Sequence, residues 1–178
     1  MLEYLEWLDS RVFHVMYGWG LELEMLGSLS LWISRASAPL FALLYAFVVL
    51  YSWRRRKHLL AVVIVAPLAV LAVVYGVRVL CFRPRPFLAE HIEPLLSHGG
   101  DSSFPSKHAA AAMVIASVTT VLDGRWGLWA MAAAVLTGLS RVMVGVHYPL
   151  DVLAGFLVGP AAVYLLRRVL VGKDGEIS

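Results

Sequence analysis

Five long apolar segments constrain the fold of this chain more than any other feature. They cover residues 36–53, 59–80, 107–122, 126–142 and 150–171. Each approaches the roughly 20 residues that an α-helix needs to cross the hydrocarbon core of a bilayer. The 178 residues are 60% hydrophobic and only 15% charged. We therefore predict a single domain, 1–178, that folds as an all-α membrane helix bundle with five to six transmembrane helices.

The first 28 residues are predicted to form an amphipathic helix that lies on the membrane surface. Apolar side chains recur every three to four positions from Leu2 to Trp19, while Glu3 and His14 belong to the opposite stripe. This spacing is typical of an interfacial helix. A first transmembrane helix is the alternative, and Glu22 makes it awkward.

The positive charges are distributed unevenly between the two ends of the predicted spans. With five spans, eight of the 15 Lys and Arg residues fall on one side: Arg54, Arg55, Arg56, Lys57, Arg125, Arg167, Arg168 and Lys173. The positive-inside rule makes this side cytoplasmic. Residues 82–106, which are rich in Pro and Gly, then form an extracytoplasmic loop of a multi-pass cell-membrane protein. The basic pI near 9.2 reflects this topology, and no nucleic-acid partner is predicted.

Three clusters of ionisable residues lie at the ends of the apolar segments. They are RVLCFRPRP from Arg78, PSKH from Pro105 and SRVMVGVHYPLD from Ser140. Ionisable groups at such positions are costly when unpaired and are usually functional. Several cations, two histidines and one carboxylate suit a site that processes an anion, and phosphate is the first candidate. By the orientation above, all three clusters lie on the extracytoplasmic face.

The first two clusters are predicted to bind phosphate. Pro105 suits the first turn of a helix. The N–H groups of Ser106, Lys107 and His108 would then face a ligand together with the positive end of the helix dipole. Arg78 and Arg85 can grip phosphate oxygens through their planar guanidinium groups. The alternatives are an ordinary helix start with a lysine that extends to the interface, and arginines that pair with carboxylates.

The third cluster contains the candidate nucleophile. His147 and Asp151 are four residues apart, and Pro149 between them sets a helix start. Asp151 can accept a hydrogen bond from one nitrogen of His147 and present the other as a nucleophile. Arg141 precedes by about two helical turns and can reach the same pocket. One alternative is a structural His–Asp cap. Another is a zinc site formed by His147, His108 and Asp151, which the nearby arginines disfavour because they would repel a cation.

The order and spacing of the three clusters resemble the type 2 phosphatidic acid phosphatase family, whose signature is K-x6-RP, PSGH and SR-x5-H-x3-D. The matching residues are Arg78-x6-Arg85-Pro86, Pro105-Ser106-Lys107-His108 and Ser140-Arg141-x5-His147-x3-Asp151. Two positions depart from the pattern. Arg78 replaces the usual lysine, and Lys107 replaces the usual glycine and adds a cation.

The resemblance implies a phosphatase that needs neither a metal nor a cofactor and works through a phosphohistidine intermediate. In this scheme His147 attacks phosphorus, Asp151 holds its ring, and His108 protonates the leaving oxygen. The implied phosphate-binding residues are Arg78, Arg85, Ser106, Lys107 and Arg141.

The expected substrate is a lipid phosphate or diphosphate drawn from the surrounding membrane lipids. An isoprenoid diphosphate such as undecaprenyl diphosphate is favoured by the outward-facing site and by Lys107, which could contact a second phosphate. Phosphatidylglycerol phosphate, phosphatidic acid and lipid A 1-phosphate stay open as substrates. A membrane protein that binds or transports an anion without chemistry is the rival from another class.

Overall fold

The chain folds as a bundle of α-helices, and the structure, a computed structural model, describes residues 2–171. The helices are α1 (Leu2–Glu22), α2 (Glu24–Arg55), α3 (Leu60–Leu80), α4 (Pro86–Ala89), α5 (Lys107–Leu122), α6 (Gly124–Met143) and α7 (Pro149–Leu170). A short 3-10 helix, Lys57–Leu59, precedes α3. No strand occurs among the described residues, so the all-α prediction is confirmed.

Four of the five predicted transmembrane segments form helices long and apolar enough to cross a membrane. They cover Glu24–Arg55, Lys57–Leu80, Gly124–Met143 and Pro149–Leu170. Large apolar side chains such as Phe47, Leu68 and Leu157 are exposed on these helices. Water-soluble proteins seldom expose extended apolar surfaces. The outer surface therefore suits lipid, and the chain is a multi-pass membrane protein.

The fifth predicted segment, α5, is a shorter helix at the centre of the bundle. It has 16 residues, and eleven of them are buried. At 1.5 Å per residue it is about 24 Å long, less than the roughly 30 Å of a hydrocarbon core. A helix surrounded by other helices need not match the thickness of the bilayer, because protein rather than lipid covers its sides.

The N-terminal helix ends at Glu22 instead of at residue 28, and α2 begins at Glu24. Leu23 between them has extended backbone angles. Just beyond it, a β-carbon on Gly27 would overlap the carbonyl oxygen of Gly20, so there is no space for a side chain. This tight turn between α1 and α2 explains the earlier end of α1.

The side of α1 that packs against the other helices contains a buried aspartate, Asp9. Asp9, Phe13 and Tyr17 are buried, whereas Leu5 and Trp19 of the predicted apolar stripe are exposed. α1 is not among the helices that meet the length and hydropathy criteria for a membrane span. Its interfacial location stays a prediction, and an exposed apolar stripe is the surface that such a helix presents to lipid.

The helices alternate in direction, so that α2, α5 and α7 begin at the end of the bundle where α3 and α6 finish. Contacts between Ser34 and Ser140, and between Ser106 and Asp151, hold this end together; we call it the site end. The opposite end carries Arg54, Arg55, Arg56, Lys57, Arg125, Arg167 and Arg168, while Lys173 lies outside the described residues. The side of the membrane that each end faces stays a prediction.

Two glycines on α7 allow it to approach α5 closely. A β-carbon on Gly155 would lie 2.9 Å from the carbonyl oxygen of Ser106, and one on Gly159 would lie 2.7 Å from the backbone nitrogen of Val114. Pairs of small residues four apart are common where membrane helices pack. The close packing brings Asp151, in the first turn of α7, beside the start of α5.

Candidate active site

The three polar clusters meet at the site end of the bundle. Arg78 comes from the last turn of α3, and Arg141 from the last turn of α6. Ser106 is the N-cap residue of α5. Its N–H donates to the carbonyl of Asp151 at 2.9 Å and is therefore not free for a ligand, contrary to the prediction from the sequence. Arg85 lies immediately before α4. Side chains that are up to 73 residues apart, from Arg78 to Asp151, therefore border one site.

His147 is held by Asp151 and by a serine that the sequence motifs did not single out. Nδ1 of His147 lies 3.6 Å from Oδ2 of Asp151 and 3.3 Å from Oγ of Ser103. The Ser103 hydroxyl donates a short hydrogen bond to the same oxygen of Asp151, and the N–H of Tyr148 donates to it at 2.8 Å. A separation of 3.6 Å exceeds an ordinary hydrogen bond. Asp151 therefore orients the ring through Ser103, whose hydroxyl lies between the two side chains, instead of through the direct bond expected from the spacing.

The other nitrogen of His147 faces an arginine. Nη1 of Arg85 lies 3.2 Å from Nε2 of His147 and donates to the carbonyl of Val146 at 2.8 Å. Because a guanidinium can only donate, Nε2 is the acceptor, and the hydrogen-bond network assigns the ring proton to Nδ1. This tautomer leaves the lone pair of Nε2 on the side of the cations, as a nucleophile requires.

Burial keeps His147 in its neutral form. Desolvation lowers the pKa of His147 to about 4; Asp151 opposes this shift, whereas the positive charges of Arg85 and Arg141 add to it. At neutral pH the ring is therefore uncharged. Only the uncharged ring has the free lone pair that can attack phosphorus.

Three cations of the site share one carboxylate, Asp101, in the loop between α4 and α5. Arg85 donates to Oδ1 of Asp101 at 2.7 Å, while Arg78 and Lys107 donate to Oδ2 at 2.9 Å and 2.8 Å. Burial alone would raise the pKa of Asp101, but the hydrogen bonds from these cations outweigh it and hold the pKa well below its usual range. Asp101 thus marks a position where an anionic group fits among these cations.

Arg141 is buried and His108 is half-buried, and each has buried polar atoms without a partner among the described residues. Arg141 is 1% exposed, and neither its Nε nor its Nη2 has an acceptor within the described residues. The same holds for Nδ1 of His108, which lies within Coulombic range of Arg141 and His147. Buried donors without partners reduce stability, and such groups call for a functional explanation. Arg141 is equipped to donate to the oxygens of a bound phosphoryl group.

The sequence motifs missed three residues that touch this site. The motifs do not include Ser103 or Asp101. The predicted phosphate-binding set omits Arg83, although Nη1 of Arg83 donates to Asp151 at 2.6 Å. All three lie in the segment 82–106, whose path follows no helical periodicity. The available signal was the run DSSFPSKH, in which one acid and two serines precede the PSKH motif.

Together the fold and the site define a class of protein: an integral membrane helix bundle with a buried, oriented histidine beside a cluster of cations. The model of the PAP2 superfamily matches residues 58–173, more than half of the chain. The chain belongs to the PAP2 superfamily. The family predicted from the three clusters is confirmed, and with it the class of hydrolases that act on phosphoester or diphosphate bonds.

Relatives within this superfamily cover most of the chain. The undecaprenyl-diphosphatase BcrC of Bacillus subtilis is 30% identical over 162 residues, which are 90% of this chain and 83% of BcrC. The crystal structure of Aquifex aeolicus LpxE is similar with a TM-score of 0.74 and 25% identity, over 89% of this chain and 93% of that one. The structure of a transmembrane PAP2-type phosphatidylglycerolphosphate phosphatase from Bacillus subtilis shares the fold, with a TM-score of 0.72, 24% identity and coverage of 98% and 88%.

Proposed function

We propose that the chain is a membrane lipid phosphatase in which His147 attacks phosphorus and Asp151 orients its ring. The observation that carries this proposal is a buried, neutral His147 beside Arg85 and near Arg141, whose donors lack acceptors within residues 2–171. Phosphoryl transfer depends mainly on positioning and on charge stabilisation at the equatorial oxygens. This arrangement of side chains can supply both.

The proposed reaction has two steps. In the first, Nε2 of His147 bonds to phosphorus, the bond from phosphorus to the leaving oxygen breaks, and His108 gives that oxygen a proton. In the second, His108 takes a proton from water, the water oxygen attacks phosphorus, and the bond to Nε2 breaks to release inorganic phosphate. The phosphoryl oxygens are bound by Arg78, Arg85, Ser106, the backbone N–H of Lys107 and Arg141.

An apolar groove next to the site favours a lipid substrate. A cavity of about 380 Å³ lies between α2, α3, α5 and α6, bordered by Lys107 and His108 and otherwise mostly by apolar side chains such as Phe41 and Leu71. A neighbouring cavity of about 190 Å³ also borders Lys107 and follows α3. A larger cavity of about 470 Å³ is lined by residues of the opposite end and by no motif residue. A hydrocarbon chain in the groove would place its phosphate headgroup at Lys107 and His108.

Among lipid phosphates, undecaprenyl diphosphate is the substrate that we infer. Lys107 adds a cation where the family signature has glycine, which supplies charge for a second phosphate group. The similarity to BcrC, named an undecaprenyl-diphosphatase, extends over 90% of this chain. With this substrate the bond that breaks joins the terminal phosphorus to the bridging oxygen, and the products are undecaprenyl phosphate and inorganic phosphate.

Filling the groove is expected to separate the hydrolysis of lipids from that of soluble substrates. Ala111 borders both cavities at the site end. With Ala111→Phe we expect kcat/KM for undecaprenyl diphosphate in detergent to fall at least about tenfold, because excluding even two methylene groups costs that much. Hydrolysis of p-nitrophenyl phosphate, which has no chain to place, is expected to change little. Release of inorganic phosphate measures the lipid reaction, and release of p-nitrophenol measures the other.

Ala132→Phe is the matched control, because Ala132 is exposed on α6 and borders neither cavity; both activities should stay at the wild-type level. An equal loss on both substrates in Ala111→Phe would contradict the groove. The same assay, run over lipid mono- and diphosphates, tests the substrate. Undecaprenyl diphosphate should give the highest kcat/KM, and a preference for phosphatidylglycerol phosphate, phosphatidic acid or lipid A 1-phosphate would overturn that choice.

We infer that the active site faces the extracytoplasmic side, supported by the basic residues at the end opposite the site. A cysteine placed at Gly99, in a Cys81→Ser background, is expected to react with a membrane-impermeant maleimide added to intact cells. Gly99 is exposed in the loop before α5, and a side chain there meets open space. A cysteine at Gly124, equally open at the opposite end, should react only after the cells are opened. The reverse pattern would place the site in the cytoplasm.

A further inference from the structure

Arg83 links the carboxylate of Asp151 to a buried acid on the N-terminal helix. Nη1 of Arg83 donates to Oδ1 of Asp151 at 2.6 Å, and Nη2 donates to Oδ2 of Asp9 at 2.7 Å. The side chains of both aspartates are 0% exposed, while that of Arg83 is 27% exposed. The guanidinium thus divides its two donors between a carboxylate from α7 and one from α1.

The same group has further contacts with the segment that carries the nucleophile. Oδ1 of Asp9 accepts a hydrogen bond from the N–H of Leu150 at 2.8 Å, so a side chain of α1 satisfies a free donor in the first turn of α7. Arg83 lies over the ring of Tyr148, 4.1 Å from its centre. The carbonyl of Arg83 accepts the N–H of Ser103 at 2.7 Å. Arg83 is therefore fixed against both of the segments that orient His147.

A fully buried carboxylate on α1 requires an explanation. Removing one charge from water costs several kcal/mol unless the charge is well paired. An apolar residue at position 9 would extend the packing of Phe13 and Tyr17, which lie on the same side of α1, without that cost. Arg83 also lies at an unspecified position of the family signature K-x6-RP, whose defined positions correspond to Arg78, Arg85 and Pro86. The observed pairing of Asp9 with Arg83 gives both residues a role.

We infer that Asp9 and Arg83 are positioning residues that hold Asp151 in the orientation in which it supports His147. The inference rests on the proposed role of His147 as the nucleophile. Arg83 fixes Oδ1 of Asp151, which leaves Oδ2 toward His147 and Ser103. Asp9 occupies the second donor of Arg83. Without Asp9, the guanidinium is free to bind both oxygens of Asp151 and draw the carboxylate away from His147. The packing of α1 is thereby coupled to the nucleophile.

Asp9→Asn and Arg83→Gln are expected to lower kcat by about 10- to 100-fold, the range found when a group that orients a metal-binding histidine is removed. KM is expected to stay near the wild-type value, because neither side chain belongs to the phosphate-binding set. Asn at position 9 keeps the volume and an acceptor for the N–H of Leu150, so the variant removes the charge and the acceptor for Nη2 of Arg83. Glu6→Gln and Arg11→Gln remove the same charges from exposed positions of α1 and should keep wild-type kcat.

The acidic limb of the pH profile of kcat/KM distinguishes positioning from a purely structural role, because it reports the protonation of His147 in the free enzyme. The other titratable or charged groups around His147 are Asp151, Arg85, Arg141, His98 and His108. In Arg83→Gln the negative charge of Asp151 is less offset, which favours protonated His147, so the limb is expected to move to higher pH. In Asp9→Asn the positive charge of Arg83 remains beside Asp151, so the acidic limb should not move to higher pH. Arg83→Lys, which keeps the charge, should return the limb to its wild-type position.

Binding of inorganic vanadate, measured as a rise in Tm, shows which variants are folded with an intact anion site. Wild-type kcat in folded Asp9→Asn and Arg83→Gln would overturn the inference, as would a loss of kcat with no movement of the limb in Arg83→Gln. If Arg83→Gln does not fold, the inference is tested with Asp9→Asn and Arg83→Lys. Wild-type kcat in folded Asp9→Asn would overturn it, and Arg83→Lys is expected to retain part of the wild-type activity. Activity that survived in His147→Ala would instead reject the proposed function itself.

Discussion

His147→Ala is expected to abolish turnover of undecaprenyl diphosphate, with a loss of at least about 10⁴-fold in kcat. The substitution removes the atom that bonds to phosphorus. Arg85 and Arg141 would still bind the phosphoryl group and stabilise charge, but they offer no lone pair for attack. Release of inorganic phosphate by the purified variant in detergent measures the effect, and vanadate should still raise its Tm.

The matched control is His58→Ala. His58 is exposed at the opposite end of the bundle, so this variant loses the same imidazole without touching the site and should keep wild-type kcat. A folded His147→Ala protein that turned over within about tenfold of the wild type would show that another group attacks phosphorus.

Arg141→Met is expected to make the protein more stable and nearly inactive. The Arg141 side chain is buried, and its Nε and Nη2 have no acceptor within the described residues, so its charge destabilises the fold unless an anion binds. Methionine fills a similar volume without that cost, and each kcal/mol gained raises Tm by about 2–4 °C in a chain of this size. Loss of the donors to the transferred phosphoryl group should reduce kcat/KM by about 10²- to 10³-fold. Thermal unfolding and phosphate release measure the two effects.

Arg125→Met provides the comparison, because Arg125 is exposed at the opposite end of the bundle; neither Tm nor kcat/KM should change. Vanadate should raise Tm of the wild type and not of Arg141→Met. A lower Tm combined with retained kcat/KM would mean that Arg141 holds the helices together and does not bind phosphate.

The helices that carry the motif residues could be predicted closely from the sequence. The expected segments 59–80 and 150–171 agree with α3 at Leu60–Leu80 and α7 at Pro149–Leu170, because unbroken apolar runs lie between His58 and Arg78 and between Asp151 and Arg167. The first predicted transmembrane segment begins at residue 36, whereas α2 begins at Glu24. Polar residues interrupt the apolar pattern there, and one of them, Ser34, bonds to Ser140 inside the bundle at 2.9 Å, which a hydropathy argument cannot anticipate.

The polar contacts of the loop could not be derived from the sequence. Asp101 and Ser103 lie between proline- and glycine-rich stretches without periodicity, so their distance from Arg78 or His147 depends on the path of the loop. Charge complementarity indicates an ion pair between Asp101 and Lys107, because the two residues are close in sequence. It did not predict that one carboxylate would bind three cations. The contact of Asp9 could not be predicted for another reason. On an amphipathic helix an acid is expected to face solvent, whereas Asp9 faces Arg83.

The central claim, that His147 carries the phosphoryl group during turnover, is tested most directly by trapping the intermediate. In His108→Ala the second step lacks its base, whereas the first step with a diphosphate substrate needs less acid assistance, because undecaprenyl phosphate is a good leaving group. After an alkaline quench with terminally radiolabelled undecaprenyl diphosphate, we expect label on the protein that survives alkali, is lost in acid and maps to the peptide containing His147. The label should be absent from the double variant His108→Ala, His147→Ala. Phosphate release without any labelled protein, or label on a residue other than His147, would contradict the account.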